Sequence, residues 1–207
     1  MFTVVTHMNL NMGAIRAKIT QALNNSANVR KAAYNKAYGV FRNAKRMMLN
    51  EFDRHNITQE IAGGPTADNI SGTLDGYGNL FSFIGFHEGD KPVERLRQIL
   101  ESRTVITRTS YDKRNREWHF SISLPDKGEI ESVTEMPWEG GNSWAYEVEG
   151  TISGLSHYMY KRWAGGNSRS GMGLQLPYEN QEDLTFSGQT YISEILENFR
   201  ARVNKTR

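Results

Sequence analysis

The residues that could do chemistry are few and poorly spaced for it. Five histidines are present, His7, His55, His87, His119 and His157, and none lies within four positions of another. A His-Glu-x-x-His pair, which sets two imidazoles on one helix face around a metal, therefore cannot form. The histidines read as surface or packing residues. The absence of cysteine removes disulfide scaffolds, thiolate metal sites and a cysteine nucleophile together, and suits a protein made and assembled in a reducing compartment. Gly-Gly pairs stand at 63–64, 140–141 and 165–166. None continues into the glycine patterns whose backbone N–H groups cradle phosphate. Ser71-Gly72 and Ser170-Gly171 lack the flanking glycine of a nucleophile elbow. No catalytic residue, cofactor-binding residue, cofactor or metal is expected.

Paired carboxylates are the remaining catalytic option. Glu129 with Glu131, and Glu147 with Glu149, would each share one face of an extended strand. Two carboxylates on one face can run glycoside hydrolysis, so a peptidoglycan hydrolase is the enzyme alternative. The same pattern also describes a solvated or partner-facing edge, which is the reading adopted. The stretch 129–149 carries six glutamates and no lysine or arginine. Residues 30–54, by contrast, hold seven basic residues, Arg42, Lys45 and Arg46 among them, against two acidic ones. Opposite charge on separate segments suits pairing with copies of the same chain or with charged neighbours.

Basic and aromatic residues also meet at two other places. The turn Lys113-Arg114-Asn115-Arg116 is basic, and Arg162 and Trp163 lead towards Arg169. Guanidinium beside an aromatic ring can grip phosphate and stack on bases, which makes a single-stranded nucleic-acid-binding protein the second alternative. It is also the composition of protein–protein hot spots. A net charge of only +2 favours protein contact.

The elements that must position these residues follow from periodicity. Ile15, Ile19 and Leu23 predict a short helix over 12–23, and Asn25 or Ser26 can cap the next one. Val29, Ala33, Ala37, Val40, Phe41, Ala44, Met48 and Phe52 recur at three- and fourfold spacing, predicting a long amphipathic helix over 27–55. Gly39 within it marks a close crossing or a bend. Residues 62–79 are a breaker-rich loop. Leu80 to Phe86 alternates as a strand does, and Pro92 opens a helix over 92–103. Thr104–Tyr111 and Glu117–Leu124 form a β-hairpin around the turn at 112–115. Glu129–Met136 is expected as a third strand and Gly140-Gly141-Asn142 as a loop. Residues 144–155 fit strand or helix. A second glycine-rich loop covers 164–182. Ile192, Ile195, Leu196, Phe199 and Val203 give a C-terminal amphipathic helix.

The order of helices, antiparallel strands and helix makes this α+β: a long N-terminal amphipathic helix and a C-terminal helix packed on an antiparallel β-sheet. The 207 residues suit one domain, 1–207, large enough to bury a core. The N-terminus, Met-Phe-Thr-Val-Val-Thr-His-Met, has no basic stretch followed by an apolar run, and is not expected to act as a signal peptide. No stretch approaches the roughly 18 apolar residues needed to span a bilayer, so a soluble protein is expected.

In order along the chain come the basic, alanine-rich helix, the glycine-punctuated loop ending Ser71-Gly72-Thr73-Leu74, an antiparallel sheet, the run Trp144-Ala145-Tyr146-Glu147-Val148-Glu149-Gly150-Thr151, and a closing helix. This resembles the tail-completion or neck proteins of tailed bacteriophages over residues 12–203. Those proteins carry a Thr-Gly-x-Leu segment where this chain has Ser-Gly-Thr-Leu. They also place a residue between Val-Glu and Gly-Thr that is missing here, and have no need of an insert like 164–182. Completion protein, tail terminator and another connector subunit all stay open. The resemblance implies a structural virion protein, assembled in the host cytoplasm, that forms a ring with copies of itself between the portal-side adaptor and the tail. Neighbouring connector and tail proteins are its implied partners, with DNA passing through the lumen, no small-molecule substrate and no membrane. It implies no catalytic residues.

Overall fold

The computed structural model describes residues 26–74, 79–112, 114, 117–137, 139–150 and 189–205, with six positions between 13 and 22. Of the expected first helix those six, Gly13, Arg16, Ala17, Lys18, Gln21 and Ala22, are described, and all are helical. The expected loop at 164–182 lies outside the described residues.

The first long element, α1, spans Ala27–Arg54. Its C-terminal half buries Phe41, Ala44, Met48 and Phe52 at three- and fourfold spacing, as the periodicity requires. The chain then turns at His55, which accepts the Ile57 N–H on Nδ1 at 3.3 Å and so caps α2, Asn56–Ala62. A single 3₁₀ turn follows over Gly64–Thr66.

Leu80–Ile84 forms a short helix, α3, where the sequence suggested a strand. Every side chain in it is buried, so there is no polar face for a twofold alternation to report. The ends decide it. Asn79 accepts the Ser82 N–H at 2.9 Å, and Gly85 closes the helix at φ +86°, with the Phe86 N–H reaching back to Phe81 O at 3.2 Å. Helix α4, Pro92–Arg103, stands where Pro92 predicts it.

Strands β1, Val105–Asp112, and β2, Glu117–Ser123, pair antiparallel, with Thr109 opposite Phe120 and a register shift between Ile106 and Arg108. The next expected strand is instead mostly helix: α5 spans Lys127–Val133. A capping box sets it, in which Asp126 accepts the Glu129 N–H at 2.8 Å and Glu129 accepts the Asp126 N–H at 3.1 Å. Strand β3 is only Glu135–Met136, and it pairs with β4, Glu139–Ser143. The Gly140-Gly141-Asn142 segment, expected as a loop, therefore lies in a strand, with Gly141 at φ +96°. Ser143 caps α6, Trp144–Glu149, so the ambiguous run 144–155 is helical as far as Glu149, and its residues 151–155 lie outside the described residues. Helix α7, Ile192–Asn204, closes the described chain.

The chain is thus α+β, with long N- and C-terminal helices and antiparallel hairpin pairing. One cluster of buried residues draws on α1 to α7, among them Phe52, Ile57, Leu80, Leu100, Ile130, Trp144 and Phe199. The terminal helices α1 and α7 pack extensively on each other. Phe41 meets Phe199 edge-on with centroids 6.3 Å apart. Glu51 accepts from Asn198 Nδ2 at 2.6 Å and pairs with Arg202 Nη1 at 2.6 Å.

Polar pins hold the glycine-rich stretch after α2. Glu60 of α2 has no exposed surface. Its Oε2 accepts the Ser71 N–H at 2.9 Å and its Oε1 accepts the Leu80 N–H at 2.7 Å. Ser71 O accepts from Gln189 Nε2 at 2.5 Å. Thr73, fully buried, shares a hydroxyl contact with Ser71 at 2.8 Å. Asn79 donates to Pro65 O and Ala67 O at 2.8 and 3.1 Å. The Ser71-Gly72-Thr73-Leu74 segment is therefore the clasp that ties α2, α3 and the approach to α7. Glu60→Gln keeps one acceptor and turns an NH2 group towards the other donor. It should cost roughly 3 kcal/mol of stability, read as a lowered midpoint in urea unfolding at unchanged slope. A loss under 0.5 kcal/mol would show that the clasp is dispensable.

Tyr191 sits beside this clasp, fully buried, with its hydroxyl 2.7 Å from Thr58 Oγ1. Burial pushes its ionisation far above the usual tyrosine range. Its ring contacts His55 at 4.8 Å between centroids. Desolvation lowers the His55 pKa from 6.5, while Glu194, a backbone bond to Thr190, Glu51 and Glu149 oppose the shift. The unfolded chain therefore takes up the proton first as pH falls, and native stability drops as pH falls below about 6.5. Above that pH the contribution is complete. His55→Asn, which can still cap α2, should flatten the stability profile between pH 7 and 5. An unchanged profile would assign the slope to other groups.

Candidate partner interface

The sequence-nominated residues divide sharply. Lys45 is committed within the chain: its Nζ donates to Thr104 O at 3.0 Å, at the C-terminal end of α4, and lies 5.9 Å from the centre of the Phe41 ring. Arg42 and Arg46 remain on the exposed surface of α1, with Arg46 Nη2 donating to Asn43 Oδ1 at 2.7 Å. Arg114 is exposed at the hairpin turn, where its N–H donates to Asp112 Oδ1 at 2.8 Å. Lys113, Arg116, Arg162, Trp163 and Arg169 lie outside the described residues.

The glutamate pairs do not form the arrangement expected of them. Both fall in helices, and positions two apart on a helix point about 200° apart. Neither Glu129 with Glu131 nor Glu147 with Glu149 shares a face. Glu129 caps α5 and pairs with Arg103 Nε at 2.8 Å. Glu131 pairs with Lys127 at 3.4 Å. Glu149 sits at the N-terminus of α7, where Oε1 accepts the N–H groups of Tyr191 and Ser193 at 3.2 and 2.6 Å and Oε2 accepts from Ser193 Oγ. Glu129 and Glu149 thus tie neighbouring elements together, while Glu131 pairs within α5. Glu147 is half-buried on α6.

Among the described residues no group of three or more His, Asp or Glu side chains could hold a metal ion. A cleft of about 370 Å³ between α1, α2 and the approach to α7 is lined by Glu51, Arg54, His55, Asn56 and Gln189. Its Glu51, His55 and Gln189 are already engaged in the packing bonds described above.

The N-terminal half of α1 presents a different surface. Over Ala27–Val40 none of the side chains is buried. Val29, Ala33, Ala37 and Val40 continue the apolar stripe of the core half but remain half-exposed. On the adjoining flank, Tyr34 and Tyr38 are 40% and 44% exposed and stack on each other, with centroids 5.9 Å apart and planes 12° apart. Phe120 of β2 approaches Tyr34 at 6.4 Å, seating the hairpin beside the helix. Between them opens a cleft of about 460 Å³ lined by Ala27, Arg30, Lys31, Tyr34 and Thr109. Sequence reasoning passed over both tyrosines. Their fourfold spacing beside Arg30 and Lys31 was the signal.

Gly39 marks no close crossing: a Cβ built there meets nothing within 4 Å. Gly39→Ala should raise stability by about 1 kcal/mol through helix propensity alone. Chemical denaturation of the isolated chain measures this, and a destabilisation would reveal a close contact at that position.

Comparison with protein-family models, curated proteins and solved structures finds no match for this chain.

Proposed function

We propose that this chain is a structural subunit of a phage head–tail connector, a neck, completion or terminator protein that assembles into a ring with copies of itself and meets neighbouring connector and tail proteins. The observation that carries this reading is the half-exposed apolar stripe Val29, Ala33, Ala37 and Val40. Fourteen residues of amphipathic helix, roughly 21 Å at 1.5 Å per residue, run past the buried core with small side chains along one edge. Small residues permit close helix–helix approach. A solvent-facing stripe of this kind is a surface waiting for a neighbour. The sequence resemblance supplies the kind of neighbour, and virion localisation belongs to the same proposal. Among the described residues no helix is long and apolar enough to cross a membrane.

Light-scattering mass against concentration, with particle images, tests the reading. Ring oligomers are expected, and Ala33→Glu with Ala37→Glu should reduce them to monomers while circular dichroism stays unchanged. A monomer at all concentrations that is also absent from purified virions sinks the proposal.

A further inference from the structure

The flank of α1 beside that stripe carries a separate signal. Between Ala27 and Asn50 the chain has six basic residues and no acidic one. Projected on a helix of 100° per residue, Arg30, Lys31, Tyr34, Tyr38, Arg42 and Arg46 fall within an arc of about 160°. Arg30 and Lys31 line the cleft against β1. Tyr34 and Tyr38 follow one and two turns later, and Arg42 and Arg46 come after them. The order along the surface is basic, aromatic, basic.

No ion pair involving these four cations forms among the described residues. Within the acidic segment, Glu129, Glu131 and Glu149 are engaged within their own chain. With no acidic side chain interleaved among them, these cations form a positive flank of the kind that a phosphate backbone matches. Exposed rings next to guanidinium and ammonium groups are stacking platforms for unpaired bases. We infer that this flank, with the cleft beside β1, binds single-stranded nucleic acid, with Arg30, Lys31, Arg42 and Arg46 on phosphates and Tyr34 and Tyr38 on bases.

The cations span about 24 Å along the helix, counted at 1.5 Å per residue, which is room for roughly four nucleotides, within the footprint of known single-strand sites. Duplex DNA keeps its bases stacked inside and offers the tyrosines nothing to stack on. The inference stands apart from the connector reading, because it uses a different flank of α1 and a different readout.

The test is fluorescence anisotropy of a labelled 20-nucleotide oligothymidylate with the full chain, at several salt concentrations. Four phosphate contacts predict a slope of log affinity on log salt near −2.8, or on the order of fifty-fold weakening between 50 and 200 mM salt. Arg30→Ala with Lys31→Ala should weaken binding about tenfold at 50 mM salt and reduce the slope by about 1.4. Tyr34→Ala with Tyr38→Ala should weaken it about tenfold or more at unchanged slope, and Tyr34→Phe with Tyr38→Phe should restore it. All six side chains are exposed, so thermal unfolding should confirm that each variant is folded. Three outcomes overturn the inference. One is no binding at 50 mM salt. Another is equal or tighter binding to the duplex of the same length. The third is variants that leave anisotropy unchanged but alter the mass by light scattering, which would make this flank a protein contact.

Discussion

The carboxylate of Glu60 is the constraint on which the rest of the structure leans. A chain that runs through Gly63-Gly64-Pro65, Gly72 and Gly76 has little intrinsic reason to adopt one path. Two backbone N–H groups, from Ser71 and Leu80, converge on one buried carboxylate instead. That pair of charge-assisted bonds sets where the loop doubles back and where α3 begins. From Ser71 the connection passes through Gln189 to the start of α7, and α7 packs on α1. The clasp thus adds polar ties between elements whose apolar faces already share one core.

The acidic residues of the second half show the same economy. Glu129 lies in the first turn of α5 and Glu149 reaches the N-terminus of α7, and each ties its helix to a neighbour. A carboxylate at a helix N-terminus satisfies N–H groups that the helix itself leaves open, and meets the positive end of its dipole. Charge that reads in sequence as an acidic face is thus partly consumed inside the fold. The basic charge of α1 is not consumed in this way, apart from Lys45. Among the described residues, this asymmetry leaves Arg30, Lys31, Arg42 and Arg46 of α1 exposed without an ion pair.

α1 divides into two working halves. Residues 41–54 supply Phe41, Met48 and Phe52 to the core, and Glu51 anchors α7. Residues 27–40 extend beyond that core while keeping the same periodicity. Helix propensity and the rigidity of the buried half carry the stripe outward in a fixed orientation.

The sequence by itself determined the long and C-terminal helices, the helix at Pro92, the hairpin around 112–115 and the α+β class. Each of these rests on a periodicity repeated over several turns or on a strong local stop signal, and such signals need no tertiary help. The short elements were decided by local capping that periodicity does not register, and the long-range ties by the tertiary structure alone. Leu80–Ile84 and Lys127–Val133 are too brief for their pattern to separate strand from helix, and their caps, Asn79 with Gly85 and Asp126 with Glu129, settled the matter. The site followed the same rule. Arg42 and Arg46 were legible as surface charge because nothing folds over them. Lys45, Glu129 and Glu149 were not legible as internal ties, since their partners, Thr104, Arg103 and Ser193, lie 26 to 59 positions away in the chain. Contacts of that range leave no periodic trace in a sequence, because only folding brings such residues together.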